Sequence, residues 1–172
     1  MHILATIRSI RSVPVARYRR EVICGANAML LTIAAIAAGL FAGAAIYINA
    51  VEHPARMSCG PEAAVREFGP SYRRATLMQA PLAVVGCVAG LVAAWQDADL
   101  VVVLAAVLLG AVVPFTLVVI APTNRRLLNP ELDAAGPEAV ALLNRWGRLH
   151  AVRSALASAS FLIFLLRLAR ES

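Results

Sequence analysis

Four long apolar blocks constrain the fold of this 172-residue chain more than any other feature of its sequence. Each block has about 20 residues, the length that an α-helix needs to cross the hydrocarbon core of a bilayer. The blocks run from about residue 25 to 50, 75 to 95, 100 to 121 and 149 to 168. Hydrophobic residues make up 60% of the chain and the mean hydropathy is +0.75, which is more apolar than a soluble domain of this size. The sequence therefore predicts an all-α integral membrane protein, a four-helix up-down bundle.

The connections between the blocks define how the helices follow one another. Residues 96–99 form a tight polar turn, so the second and third spans are expected to be antiparallel neighbours. The fourth helix is predicted to begin near Glu138 and to enter the membrane around His150. Residues 25–172 are therefore predicted to form a single four-span domain, and we expect a multi-pass protein of the cell membrane.

The basic residues are sixteen arginines, with no lysine, and the formal net charge is +6. Five of them lie in residues 1–24 among apolar residues at rough helical spacing, which predicts a basic amphipathic segment on a membrane face. A signal peptide is the competing interpretation, but the apolar stretch that follows is longer than a cleavable core of about 7–15 residues. The bilayer is therefore an expected partner, a homo-oligomer is possible, and nucleic acid is not expected because no binding motif accompanies the arginines.

The three cysteines exclude one class of enzyme. Cys24, Cys59 and Cys87 form neither a Cys-x-x-Cys pair nor a metal-ligand spacing. Cys24 and Cys59 are expected at opposite ends of the first span, too far apart to form a disulfide. The chain is therefore not expected to be a membrane thiol oxidoreductase.

Polar residues collect where the first and third connections of the bundle meet. These residues are Asn49, Glu52, His53, Arg56, Tyr72, Arg73, Arg74, Asn124, Arg125, Arg126, Trp146, His150 and Arg153. Ionisable groups at membrane depth are costly to desolvate and are functional candidates by default. The competing interpretation is a structural ion pair of Glu52 with Arg56 or Arg153.

Helical spacing orders these residues into two stripes. One is Asn49, Glu52, His53 and Arg56, which share a face if the helix continues through Pro54; the other is Trp146, His150 and Arg153. Glu52, His53 and His150 are metal-ligand types. Metal sites in helical bundles usually use a Glu-x-x-His pair rather than adjacent Glu and His. We therefore predict no cofactor, and a metal held by Glu52, His53 and His150 is the less favoured alternative.

Three motifs occur in order along the chain. They are Glu52-His53-Pro54-Ala55-Arg56 after the first span, Pro122-Thr123-Asn124 with Leu127-Leu128 after the third, and Trp146-x-x-x-His150-x-x-Arg153 opening the fourth. With these motifs, the chain from about residue 25 to 168 resembles the integral membrane family of unknown function that includes anthrone oxygenases. The resemblance implies oxidation of a reduced tricyclic phenol, an anthrone, to a quinone with molecular oxygen and without a bound cofactor. Family membership does not define the substrate.

The predicted catalytic residues are His150, Glu52, Arg153 and Asn124. A substrate that forms a stabilised carbanion can itself reduce oxygen, so the protein has to remove a proton and stabilise negative charge. His150 is the preferred general base, and Glu52 is the alternative. Arg153 and Asn124 are expected to stabilise the enolate and the reduced oxygen species.

The predicted substrate-binding residues are Trp146, His53, Arg56 and Tyr72. Trp146 is expected to stack on the flat rings of a hydrophobic aromatic small molecule that enters from the bilayer. A non-catalytic membrane protein held together by an ion-pair network is the alternative, and the test is whether the polar residues surround a cavity or fill it. A transport role is less favoured, because the second and third spans have few polar residues near the midplane.

Overall fold

The computed structural model describes residues 15–170, and it describes side chains from residue 25 onward. The described chain is helical, with two π-helical turns inserted. Its α-helices are α1 (Val15–Tyr47), α2 (His53–Ser58), α3 (Pro61–Asp97), α4 (Leu100–Phe115), α5 (Ala121–Leu127) and α6 (Pro137–Ala169). The first π turn (Ile48–Glu52) joins α1 to α2, and the second π turn (Thr116–Ile120) joins α4 to α5.

Four stretches of the described chain are long and apolar enough to cross a membrane. They are Gly25–Ser58, Pro61–Asp97, Leu100–Leu127 and Pro137–Ala169. This arrangement confirms the predicted all-α four-helix membrane bundle and makes the chain a multi-pass membrane protein. The helices are longer than the apolar blocks, since a helix continues past the hydrocarbon where its polar residues meet water. The side chains of the predicted amphipathic segment, residues 1–24, lie outside the described part.

The four membrane helices form a closed ring. Helix α1 packs against α3 and α6, and α4 packs against the same two helices from the other side. The core contains many alanines, including Ala34, Ala38, Ala105, Ala106 and Ala157, each with no exposed surface. A few large apolar side chains, among them Phe41, Leu109 and Phe164, are buried with them, and many other large apolar side chains face outward. Small residues inside let the helix backbones approach closely, which is how helices associate in lipid.

The turn between α3 and α4 closes one end of the bundle. Ala98 adopts a left-handed conformation with φ 52°, and the Asp99 side chain accepts hydrogen bonds from two N–H groups in the first turn of α4. Asn27 of α1 donates to Asp97, and Arg167 of α6 pairs with Asp99. All four membrane helices are therefore joined at this end by polar contacts.

Candidate functional site

At the other end of the bundle, two membrane helices widen immediately before a proline. The first π turn, Ile48–Glu52, is followed by Pro54, and the second, Thr116–Ile120, is followed by Pro122. After each turn an N–H bonds to the carbonyl five residues back. A proline cannot bond to the carbonyl four residues back and its ring clashes with it, so a wider turn accommodates it. Such π turns are frequent at functional sites.

The first π turn corrects one prediction about the face that Asn49, Glu52, His53 and Arg56 share. The helix does continue through Pro54, but the four side chains contact two different helices. Asn49 and His53 contact α6, Glu52 bonds to a residue of α3, and Arg56 contacts both helices, through an ion pair with α3 and through the Trp146 ring of α6. Asn49 contacts the Gly147 carbonyl and His53 contacts the Trp146 ring. Glu52 accepts a hydrogen bond from Ser71, and Arg56 pairs with Glu67. The stripe therefore lies between α3 and α6 and contacts both helices.

Asn49 determines the orientation of His150. Its Nδ2 donates to the Gly147 carbonyl oxygen over 3.0 Å, and a carbonyl oxygen can only accept. Oδ1 of Asn49 therefore faces the other way, where it accepts from Ser154 Oγ at 2.7 Å and lies 2.8 Å from His150 Nδ1. Nδ1 must carry a proton to make this contact, so the neutral ring has its lone pair on Nε2.

Trp146 is enclosed by aromatic and cationic side chains. The His150 ring stacks on it at 4.8 Å between centroids, and the His53 ring lies 5.4 Å away. Phe68 meets it edge-on at 5.4 Å, and the Arg56 guanidinium lies 5.6 Å from its centroid. Only 5% of Trp146 is exposed. The ring therefore forms a wall of the site and has little free face for stacking on a substrate.

Arg56 and Glu52 form an ion pair with each other. Arg56 pairs with Glu52, and its Nε lies 2.9 Å from a carboxylate oxygen of Glu67. Ser71 donates to Glu52 at 2.5 Å and accepts from Arg56 at 3.2 Å. Arg56 is buried. This pair matches the structural interpretation that competed with a catalytic role for Glu52.

Arg153 has no such partner. One terminal nitrogen donates to Gln79 Oε1 over 2.7 Å, and its guanidinium lies 5.4 Å from the centroid of the Phe41 ring. Among the described residues no carboxylate pairs with it, and its buried Nε has no hydrogen-bond acceptor. A guanidinium carries five N–H donors. Arg153 is thus a cation within a membrane helix whose hydrogen-bonding capacity is largely unused.

These side chains border a central cavity of about 20 Å³, enough for roughly one water molecule. Six of the eight predicted site residues line it, namely Glu52, Arg56, Tyr72, Trp146, His150 and Arg153. The polar residues therefore fill most of the space they enclose. A three-ring molecule does not fit in the central cavity.

Two larger pockets lie on either side of α3. The α3–α4 pocket has a volume of about 110 Å³ and shares Tyr72, Thr76 and Arg153 with the central cavity. The α1–α3 groove has a volume of about 540 Å³ and shares Glu52 and Gln79, among others, with the same cavity. Each pocket is thus separated from His150 by a single layer of side chains.

The other two predicted site residues lie apart from these pockets. Neither Asn124 nor His53 lines the central cavity, the α3–α4 pocket or the α1–α3 groove. Asn124 is 3% exposed, and neither atom of its amide has a hydrogen-bond partner among the described residues. His53 lies over Gly147. A β-carbon added at residue 147 would lie 2.5 Å from Nε2 of His53.

The geometry of the site includes two residues, Asn49 and Gln79, to which the sequence analysis assigned no catalytic or binding role. Asn49 orients His150, and Gln79 is the buried hydrogen-bond acceptor of Arg153. Both interrupt apolar stretches of a membrane span, which was the available signal. Spacing alone could not say which helix either side chain faces.

The described residues contain no cluster of three His, Cys, Asp or Glu side chains placed to hold a metal ion. Glu52, His53 and His150 therefore do not form such a cluster. Glu52 instead pairs with Arg56, and His150 contacts Asn49.

Comparison with known families shows one match: the family described as anthrone oxygenase matches residues 68–163. The chain belongs to the anthrone oxygenase family. The match confirms the predicted resemblance and makes this an oxygenase-like membrane protein at the level of its family. In this anthrone oxygenase family member the matched segment contains Tyr72, Gln79, His150 and Arg153, whereas Asn49 precedes it. Comparison with curated proteins and with solved structures gives no match.

Proposed function

We propose that this protein oxygenates an aromatic substrate of the anthrone or polyketide type with molecular oxygen and without a bound cofactor. The observation that carries the proposal is the pairing of His150 with Asn49, beside the unpaired Arg153. This arrangement presents a ring nitrogen with a free lone pair and an adjacent positive charge. Proton removal from carbon needs a base, and the resulting enolate needs a stabilising charge.

The proposed reaction starts at the methylene carbon of the substrate. His150 Nε2 takes one proton from this carbon, and the carbanion transfers one electron to oxygen. The resulting carbon radical and superoxide combine into a peroxide, which takes back the proton from His150. Loss of water from this hydroperoxide breaks its O–O bond and leaves a carbonyl, so one CH₂ and one O₂ become one C=O and one H₂O.

The neighbouring residues support particular roles in this reaction. Arg153 is proposed to stabilise the enolate oxygen, because a charge-assisted hydrogen bond is strongest where water is excluded. Glu52 is engaged by Arg56 and Ser71, which favours His150 over Glu52 as the base. Asn124 is assigned no step, because it lines neither the central cavity nor its two flanking pockets.

A second candidate function is a non-catalytic membrane component. The small volume of the central cavity and the mutual pairing of Arg56, Glu52 and Glu67 favour it. In that case the polar residues hold the helices together and no substrate reaches His150.

The test is oxygen uptake by the purified protein in detergent with anthrone and with anthrone deuterated at its methylene carbon. His150→Gln is expected to lower the turnover number by roughly 10²–10⁴-fold, the usual contribution of a positioned general base. The wild-type protein is expected to turn over the deuterated substrate more slowly if proton removal limits the rate.

Arg66→Gln is the matched control, because Arg66 is exposed and, among the described residues, pairs with Glu62 on the surface of α3. This variant should retain wild-type activity. Uptake no faster than autoxidation of the substrate would contradict the proposal for anthrones. Equal uptake by wild type and His150→Gln would remove His150 from the mechanism, and activity that requires a bound metal would contradict cofactor independence.

A further inference from the structure

Arg153, whose hydrogen-bond donors are largely unused, lines both the central cavity and the α3–α4 pocket. Glu52, which the sequence offered as a counter-ion for Arg56 or Arg153, pairs with Arg56. The cost of keeping an unpaired guanidinium within a membrane helix is high. An anionic or acidic oxygen of a ligand would complete its hydrogen bonds.

The α3–α4 pocket has the composition of a site for a flat apolar ring. Phe41, Tyr72, Ala83 and Val112 are among its walls, and Arg153 is its one charged lining residue among those described. Leu117 at its rim is 67% exposed. The pocket thus extends from the lipid-facing surface of the bundle to the guanidinium.

The α1–α3 groove differs in its charge. Two carboxylates, Glu52 and Glu67, and the cation Arg74 line it. Arg56 pairs with both carboxylates, and a phenolate or enolate in this groove would still lie beside their oxygens as well as beside Arg74. The α1–α3 groove is therefore a less favourable site for an acidic aromatic ligand than the α3–α4 pocket, although its volume is larger.

We propose that the α3–α4 pocket binds a planar aromatic ligand with an acidic oxygen, a phenol or an enol, which enters sideways from the bilayer and places that oxygen on Arg153. The proposal rests on the proposed function for the class of ligand and adds where it binds. One ring of the ligand would lie in the α3–α4 pocket, whose volume of about 110 Å³ is too small for three rings, and the other rings would lie toward the lipid at the rim of the pocket. The acidic oxygen would lie next to the layer of side chains that covers His150. This layer includes Tyr72 and Thr76. A small repacking of these side chains would connect the α3–α4 pocket with the central cavity that His150 lines.

The test uses a hydroxyanthraquinone, which is already a quinone and therefore reports binding without turnover. The chain has two tryptophans, so a Trp95→Phe background leaves Trp146 as the fluorescent reporter beside the pocket. Quenching of Trp146 fluorescence then measures the Kd. Ala80→Phe is expected to raise the Kd at least about tenfold by filling the pocket, which corresponds to about 1.4 kcal/mol.

Ala44→Phe is the matched control, because Ala44 lines the α1–α3 groove and not the α3–α4 pocket. Ala80 is exposed and Ala44 is partly buried. Neither belongs to the buried core, so neither substitution is expected to disturb it. A second readout is the visible absorption of the ligand. Arg153 should make the bound phenol ionise at a lower pH than the free phenol, and Arg153→Gln should abolish this difference while Arg153→Lys retains part of it.

Binding weakened by Ala44→Phe and unchanged by Ala80→Phe would overturn the proposal and place the ligand in the α1–α3 groove. An absence of quenching in the Trp95→Phe protein would also overturn it. Tight binding in the pocket without any oxygen uptake would contradict the proposed function alone.

Discussion

At the scale of single residues, the chemistry depends on which hydrogen bonds are already satisfied. Asn49 uses both ends of its amide, and this assigns the proton on His150 to Nδ1. Glu52 and Arg56 pair with each other. Arg153 has a single neutral acceptor, Gln79. Arg56 and Arg153 thus differ in the hydrogen bonds they can still make, because their partners differ.

Replacing Asn49 should test the orientation of His150. Asn49→Leu removes three hydrogen bonds and is expected to lower oxygen uptake on the order of 10²-fold, since a general base acts only when it is positioned. Asn49→Asp keeps an acceptor for His150 Nδ1 and should retain more activity than Asn49→Leu. Ser154→Ala removes one hydrogen bond from the same oxygen and should stay within about tenfold of wild type. Equal losses in Asn49→Leu and Asn49→Asp would argue against an orienting role.

At the scale of elements, two π turns and one close helix contact shape the site. The first π turn directs Asn49 and His53 toward α6. His53 lies so close to α6 that a β-carbon at residue 147 would require the His53 ring to shift. Gly43 provides a contrast, because a β-carbon there would meet no other atom within 4 Å.

Gly147→Ala should therefore destabilise the protein, although alanine is favoured over glycine in helices by roughly 1 kcal/mol. The added methyl group would displace the His53 ring from Trp146. Gly43→Ala is the control and should leave the midpoint of thermal unfolding in detergent unchanged or raise it. A higher midpoint for Gly147→Ala would show that His53 moves aside freely.

At the scale of the whole molecule, polar contacts hold both ends of an apolar bundle. One end carries the site, and the other carries the turn between α3 and α4 with the pairs Asn27–Asp97 and Arg167–Asp99. Between them the contacts are mostly apolar, with alanines at the centre. The polar pairs near the two ends thus define how neighbouring helices align, which apolar contacts between alanines specify less strongly.

The Asp99 pair predicts how stability depends on pH. The hydrogen bond from Arg167 holds the pKa of the Asp99 carboxyl below its ordinary value. The carboxylate therefore contributes stability that is fully present above about pH 4 and is lost as the pH falls through the lower folded-state value. Asp99→Asn keeps a cap for α4 but should lower the unfolding midpoint at pH 7 and reduce the further loss below pH 4. An acid dependence equal to that of wild type would mean that other carboxyl groups control it.

The sequence by itself determined the membrane class, the four helices and the end of the bundle where polar residues meet, because these follow from block length and from alternating chain direction. It also predicted His150 and Arg153 as candidate site residues, since ionisable residues are costly within a span. The tertiary structure decided their partners: Glu52 with Arg56, His150 with Asn49, and Arg153 with Gln79. Spacing along one helix cannot determine such choices, because a π turn changes the direction of each side chain and a partner on another helix is defined only once the helices pack.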